Sequence, residues 1–260
     1  MELTLYQIDA FASEVFKGNP AAVCPLEHWL DDAVMQAIAE ENNLSETAFF
    51  VRTQNGFDLR WFTPVDEVDL CGHATLASAY VVFHILKYDR PAVDFFTRSG
   101  KLSVAQNDGL LTMDFPAKLL RACEKIPTLE KALGKAPAEL LSDGDDYLAI
   151  FGSEREIRAI APDMHTLKTL DCRGVIVSAK GDSADFVSRF FAPRLGVDED
   201  PVTGSTHCVL TPYWAGRIGK NRLSAQQLSK RGGELVCELR GNRVSLSGRA
   251  VKYMEGQITL

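Results

Sequence analysis

The 260-residue sequence contains no G-x-G-x-x-G, no G-x-x-x-x-G-K-[ST] and no H-E-x-x-H. It therefore offers no dinucleotide cradle, no phosphate loop and no zincin helix. Its six cysteines, Cys24, Cys71, Cys123, Cys172, Cys208 and Cys237, never stand at C-x-x-C or another metal-ligand spacing. No metal or other cofactor is expected, and a disulfide framework is not the reading for a chain of this size; the expectation is a reducing, cytoplasmic setting. An excess of basic residues is missing too. Lys and Arg number 28 against 35 Asp and Glu, a net charge of −7, and the cations are scattered. That excludes nucleic acid and an anionic membrane as expected partners. The longest strongly apolar stretch, Ala74 to Leu86, is too short for a bilayer and carries His84. The first residues alternate polar and apolar side chains rather than running basic then apolar, so they do not read as a secretory signal. What remains is an ordinary globular composition, 46% hydrophobic and 24% charged, in a chain long enough to bury a sizeable core without staples.

The sequence repeats itself. Arg60-Trp-Phe62-Thr-Pro64, an acidic loop, Cys71-Gly72-His73-Ala74-Thr75 and an apolar run are followed by Arg189-Phe-Phe191-Ala-Pro193, a second acidic loop, Thr203-Gly204-Ser205-Thr206 and a second apolar run. The Arg-x-Phe-x-Pro pattern recurs 129 residues on, from position 60 to 189, and the glycine 132 residues on, from 72 to 204. Further along, Gly100-Lys-Leu102-Ser-Val104 with its Asp108-Gly109 turn matches Gly233-Glu-Leu235-Val-Cys237 with its Gly241-Asn242 turn. Both read as hairpins, with period-2 apolar positions around favoured turn pairs. Several matches in order at nearly constant offset indicate duplication.

Each half reads as strand, acidic loop, buried helix and hairpin. The predicted fold class is α+β, with two lobes, each a curled, mostly antiparallel sheet around one central helix. The first lobe is expected over 1–118, completed by a final strand over 249–260, and the second over 119–248. The segment from Lys118 to Pro137, with the short amphipathic piece Leu129 to Leu133, reads as the linker.

Both central helices begin at a glycine. A helix start presents free N–H groups and the positive end of the helix dipole, which suits a carboxylate or an enolate-like charge. Candidate acid–base groups close by in sequence are His73, Asp69 and Glu67 in the first half, and Asp198, Glu199, Asp200, Ser205 and His207 in the second. Asp198 and Glu199 read as solvated loop charges or helix caps, and His207 as a hydrogen-bonded core residue. His28, His84 and His165 have no chemical neighbours and read as structural or surface residues. Glu46 stands at the threshold of the apolar strand Thr47-Ala48-Phe49-Phe50, where partial loss of water suits a carboxyl to proton exchange near neutrality. His73, if buried, is expected to stay neutral. Ser205 and His207, two residues apart on a helix, point in different directions and do not suit a serine hydrolase.

Four segments carry a resemblance: Asp9-Ala-Phe11 with Gly18-Asn19-Pro20-Ala21-Ala22-Val23; Asn43-Leu-Ser-Glu46-Thr-Ala-Phe49; Phe62-Thr-Pro64 with Cys71-Gly-His-Ala-Thr75; and Asp200-Pro-Val-Thr-Gly204-Ser205. In this order, over nearly the whole chain, they resemble the PhzF family of phenazine biosynthesis. The resemblance implies a diaminopimelate epimerase-like fold of two similar lobes with a cleft between them, and a homodimer. It implies a cofactor-independent isomerase of a small, carboxylate-bearing molecule, the family namesake moving a proton on a dihydro-hydroxyanthranilate in a biosynthetic process. By the same resemblance the catalytic residues are Glu46 as acid–base, assisted by His73 and Asp200, with Gly72, Gly204 and Ser205 binding substrate.

Epimerases of that fold use two thiols, one before each central-helix glycine. Here those positions hold Cys71 and Thr203. A threonine hydroxyl is far too weak an acid to replace a thiolate at neutral pH, so two-thiol racemisation is disfavoured. The alternatives are a variant epimerase or racemase of a small amino acid, with Cys71 and Glu46 as bases, and a catalytically silent member that binds a metabolite or a protein.

Overall fold

The structure, a computed structural model, describes residues 1–260 and divides into two compact units: residues 1–114 with 246–260, and residues 115–245. The boundaries fall a few residues before the expected 118 and 249, the first of them inside the strand Leu110–Pro116.

In the first unit, strand Glu2–Ala10 lies antiparallel to both Asn19–Leu26 and Ala250–Thr259. Asn19–Leu26 runs parallel to Glu46–Arg52, which is antiparallel to Phe57–Phe62. Phe57–Phe62 runs parallel to Ala92–Thr97, and antiparallel pairing continues through Gly100–Asn107 to Leu110–Pro116. The second unit repeats the scheme. Asp146–Ile150 is parallel to Gly174–Lys180, Gly174–Lys180 is antiparallel to Phe186–Ala192, and Phe186–Ala192 is parallel to Arg222–Gln227. Arg222–Gln227 then pairs antiparallel with Gly233–Arg240.

Each sheet encloses a helix made almost wholly of small and apolar residues. Gly72–Tyr80 buries every residue from His73 to Ala79 and continues into a π-type turn over Val81–Ile85. Gly204–Ile218 buries Thr206 through Thr211 with Trp214 and Ala215. Helices without a polar face form only where protein surrounds them. No helix is long and apolar enough to cross a membrane.

The repeated Arg-x-Phe motif has the same role in both units. Arg60 makes a two-pronged ion pair with Glu67, Nε to Oε1 and Nη2 to Oε2, both 2.7 Å, and its guanidinium lies 5.1 Å from the Phe62 ring. Arg189 does the same with Glu199, at 2.7 and 3.0 Å, over Phe191 at 4.8 Å. Glu199 is thus not the solvated loop charge expected from the sequence, and Glu67 is not an acid–base candidate: each is the half-buried anion of a forked pair that ties the acidic loop to the preceding strand. Asp69 and Asp198 are exposed.

Part of the expected linker also proves to be core. Leu129, Ala132 and Leu133, on the helix Pro127–Leu133, pack with Ala149, Ile157 and Phe191 in the second unit. Their i, i+3, i+4 spacing gives that short helix an apolar face, which a linker in water would leave exposed.

His207 is fully buried. Its Nδ1–H donates to the Thr203 carbonyl at 2.8 Å, leaving Nε2 without a hydrogen-bond partner. Burial outweighs the favourable carbonyl contact and pushes the imidazole down from 6.5 to about 4. Between those values the unfolded chain takes up a proton that the folded chain refuses, so stability present above pH 6.5 is lost as pH falls toward 4. At 1.36 kcal/mol per pH unit the loss reaches about 3 kcal/mol. Urea denaturation at pH 7 and pH 4.5 should show it in the wild type. His207→Asn, which keeps the donor to Thr203 without the titration, should flatten that dependence; an unchanged pH profile in the variant would refute the assignment.

Candidate active site

Glu46 is the first residue of its strand and pairs with Ala21 of the parallel neighbour. Its Oε2 lies 3.0 Å from His73 Nε2, on the first turn of the central helix. Glu46 keeps 18% of its side chain exposed against 7% for His73, and neither facing atom has another hydrogen-bond partner. On the other edge of the ring, Nδ1 faces Asn19 Nδ2 at 3.3 Å and Cys71 Sγ at 3.5 Å. Asn19 follows Gly18, whose φ of +65° and approach to the Ala10 carbonyl exclude a side chain: a Cβ there would sit 2.1 Å from that oxygen.

Burial alone would favour a neutral His73. Cys71 and Glu46 outweigh it and hold the imidazole well above its ordinary value. The Cys71 thiol is itself pushed up to about 11 by burial and by the Glu46 charge. The expectation of a neutral His73 is therefore reversed: desolvation is the largest single effect, but Cys71 and Glu46 together, by charge and by hydrogen bonds to the ring, override it.

The corresponding place in the second unit is built differently. The strand registers align Phe49, opposite Arg60, with Val177, opposite Arg189, which aligns Glu46 with Gly174. A Cβ at Gly174 would lie 2.4 Å from the Phe190 ring and 2.8 Å from the Phe191 carbonyl oxygen, so this unit has no room for a second carboxylate there. One residue earlier stands Arg173. Its Nε donates to the buried Asp146 at 2.9 Å, its Nη2 donates to the same carboxylate, and its Nη1 donates to Ser205 Oγ at 3.1 Å. Burial raises the Asp146 carboxyl, with Arg173 opposing. Ser205 is the counterpart of His73 by the glycine alignment. Where the first unit sets a carboxylate against an imidazole, the second sets a guanidinium against a hydroxyl.

Asp200 ends the acidic loop, and its carboxylate accepts a hydrogen bond from the Thr203 hydroxyl. Thr203, in the position of the epimerases' second thiol, is thus a donor to a carboxylate. No side-chain hydrogen bond caps the N-terminal residue of either central helix; the Ala74 amide faces the Cys71 sulphur, a weak acceptor. In the first unit the structure brings together Glu46, Gly72 and His73; in the second, Asp200, Gly204 and Ser205. Ser205 and His207 form no pair, since one accepts from Arg173 and the other donates to Thr203.

Sequence reasoning missed Arg173. It stands in Asp171-Cys-Arg-Gly174, directly ahead of the strand Gly174–Lys180, as Ser45 stands directly ahead of the strand Glu46–Arg52. Extending the repeat upstream of Arg60 would have found it. The motif around Asn19 was legible, but not its contact with the imidazole.

A family model described as phenazine biosynthesis-like protein (PhzC-PhzF) matches residues 8–256. An uncharacterized isomerase of Pseudomonas aeruginosa is 57% identical over 260 residues, covering 100% of both chains. The crystal structure of a phenazine biosynthesis protein of the PhzF family from Enterococcus faecalis superimposes with a TM-score of 0.98 at 48% identity, with 100% of each chain covered. A hydroxyproline epimerase from Agrobacterium vitis shares the fold, with a TM-score of 0.62 at 10% identity, covering 99% of this chain and 92% of that one.

The His73 assignment is open to measurement. Imidazole NMR shifts of the wild type should show His73 still cationic at pH 7.5, above its usual value of 6.5. In Glu46→Gln the facing charge is gone, burial dominates, and His73 should be neutral at that pH. A wild-type ring that titrates at or below 6.5 contradicts the account.

Proposed function

Because the chain belongs to the phenazine biosynthesis-like (PhzF) family, we propose that it is a cofactor-independent isomerase that moves a proton between two carbons of a small carboxylate-bearing molecule. The observation that carries this reading is the contact between Glu46 and His73 at 3.0 Å, a partly exposed carboxylate held against a buried imidazole.

In this mechanism the Glu46 carboxylate takes a proton from a carbon next to an electron-withdrawing group, and the electron pair of the broken C–H bond spreads into the conjugated system. The Glu46 carboxylic acid then returns the proton at another carbon, restoring the carboxylate. His73 orients the carboxylate and offers positive charge to the anion as it forms. Ser205, with its oxygen already engaged by Arg173, has its O–H to donate to the substrate's carboxylate. The α-amides after Gly72 and Gly204 supply further donors, and Asp200 assists as a second carboxylate. A Cys71 thiol that loses its proton only near pH 11 is a poor base at neutrality, and Thr203 is no base at all. Those two facts disfavour epimerisation by the thiol route.

A screen over many acids tests the reading whichever of them is the substrate. Small acids, including D- and L-amino acids and 2,3-dihydro-3-hydroxyanthranilate, are incubated with the protein in D2O and screened for deuterium at carbon. The wild type should introduce deuterium into at least one of them. Glu46→Gln should abolish incorporation and still bind that acid. Arg173→Gln should raise KM about tenfold or more with a smaller change in kcat, the signature of lost ground-state binding. Undiminished exchange in Glu46→Gln would sink the mechanism.

A further inference from the structure

Gln227, the last residue of the strand Arg222–Gln227, is 1% exposed. A buried primary amide needs partners at both ends. Here Oε1 accepts from the Thr203 backbone N–H at 2.9 Å, and Nε2 donates to the Asp200 carbonyl at 2.8 Å and to Thr203 Oγ1 at 3.1 Å. The oxygen and nitrogen of a side-chain amide are easily confused, but not in this setting. A backbone N–H can only donate and a carbonyl can only accept, so these two partners fix which end of Gln227 is which.

That orientation determines a proton's position. Nε2 must donate to Thr203 Oγ1, which fills an acceptor site on the hydroxyl. The single hydroxyl hydrogen of Thr203 is then directed at the Asp200 carboxylate, the contact the structure shows. We propose that Gln227 is a positioning residue: through Thr203 it presents the Asp200 carboxylate at the start of the second central helix, in a fixed orientation and always as a hydrogen-bond acceptor. This rests on the reading of Asp200 as the assisting carboxylate. It gives the two carboxylates different roles by construction. Glu46 faces an imidazole with no other partner on its facing oxygen, and carries the moving proton. Asp200 accepts from a hydroxyl whose proton has been aimed at it, and stays in place.

Two contacts to backbone groups also give Gln227 a structural task, so the test must separate the two. Gln227→Glu keeps the shape and the acceptor for the Thr203 N–H, but sets a second acceptor where Nε2 donated. Neutron diffraction from D2O-exchanged crystals, without any ligand, should place the wild-type Thr203 hydroxyl deuteron on Asp200. In Gln227→Glu it should turn toward position 227, and the Asp200 carboxylate should leave hydrogen-bond distance of Thr203. Should that variant fail to fold, Thr203→Val and Thr203→Ser decide: the first should free Asp200, the second should hold it as the wild type does. Against an acid turned over in the deuterium screen, Gln227→Glu and Thr203→Val should lower kcat on the order of 100-fold, the effect of a 1 Å misplacement. KM should stay within about threefold, and Thr203→Ser should restore kcat. A wild-type deuteron pointing anywhere but Asp200, or an Asp200–Thr203 contact that survives in Gln227→Glu and Thr203→Val crystals alike, overturns the proposal. The deuteron map decides the relay without turnover, so it stands or falls apart from the reading of Glu46.

Discussion

Each half of this chain must leave a strand, turn through an acidic loop and begin a buried helix within about ten residues, and an arginine–glutamate fork holds that turn in both. Arg60 with Glu67 and Arg189 with Glu199 are half-buried, two-pronged pairs, each stacked on the phenylalanine two residues along the same strand. Removing Arg189 would leave the Glu199 carboxylate unpaired in a poorly hydrated place, which costs far more than an exposed surface pair contributes; removing Arg60 would leave Glu67 only its contact with the half-exposed Arg98. The loop so held delivers Gly72 and Gly204, and with them His73 and Ser205, to fixed positions relative to the sheet. The contacts of His73 with Glu46 and of Ser205 with Arg173 depend on that placement.

Duplication gave the two halves the same frame, and divergence gave them different chemistry. The position that carries Glu46 in the first half carries Gly174 in the second, where Phe190 and the Phe191 carbonyl leave no room for a side chain. The neighbouring Arg173 is held by Asp146 and donates to Ser205. His73, counterpart of Ser205, faces the carboxylate instead. Cys71 and Thr203 diverged likewise: one is a buried thiol raised to about 11, the other a hydroxyl spent on Asp200. The first half sets a carboxylate against an imidazole, and the second a guanidinium against a hydroxyl.

Much of the frame was legible in the sequence because it depends on short, position-specific patterns. The Arg-x-Phe-x-Pro recurrence, the two glycines and the paired hairpin turns give the duplication and both central helices. Glu46 and His73 were readable from motif resemblance, and the structure places them in contact. The charge on His73 was not readable, because burial opposes the contacts with Cys71 and Glu46, and the outcome depends on distances that sequence does not give. Glu199 misled for a related reason: an acidic loop looks solvated until its arginine is found. The helix Pro127–Leu133 looked like a linker because its apolar face is only three residues. Gln227 left no signal, being an uncharged residue whose meaning comes from three contacts with two residues, 24 and 27 positions away.

The central claim is that a single carboxylate both removes and returns the proton. A carboxylic acid holds one proton, with no sibling hydrogens to dilute it, so a deuteron taken from carbon is the one available for return. The direct measurement uses a reactive acid deuterated at the carbon that loses hydrogen, with the reaction run in ordinary water and the product examined by NMR. The account predicts that part of the deuterium reappears at the new position in the same molecule. Complete loss of the label to solvent, at every substrate concentration and from the earliest turnovers, would contradict it.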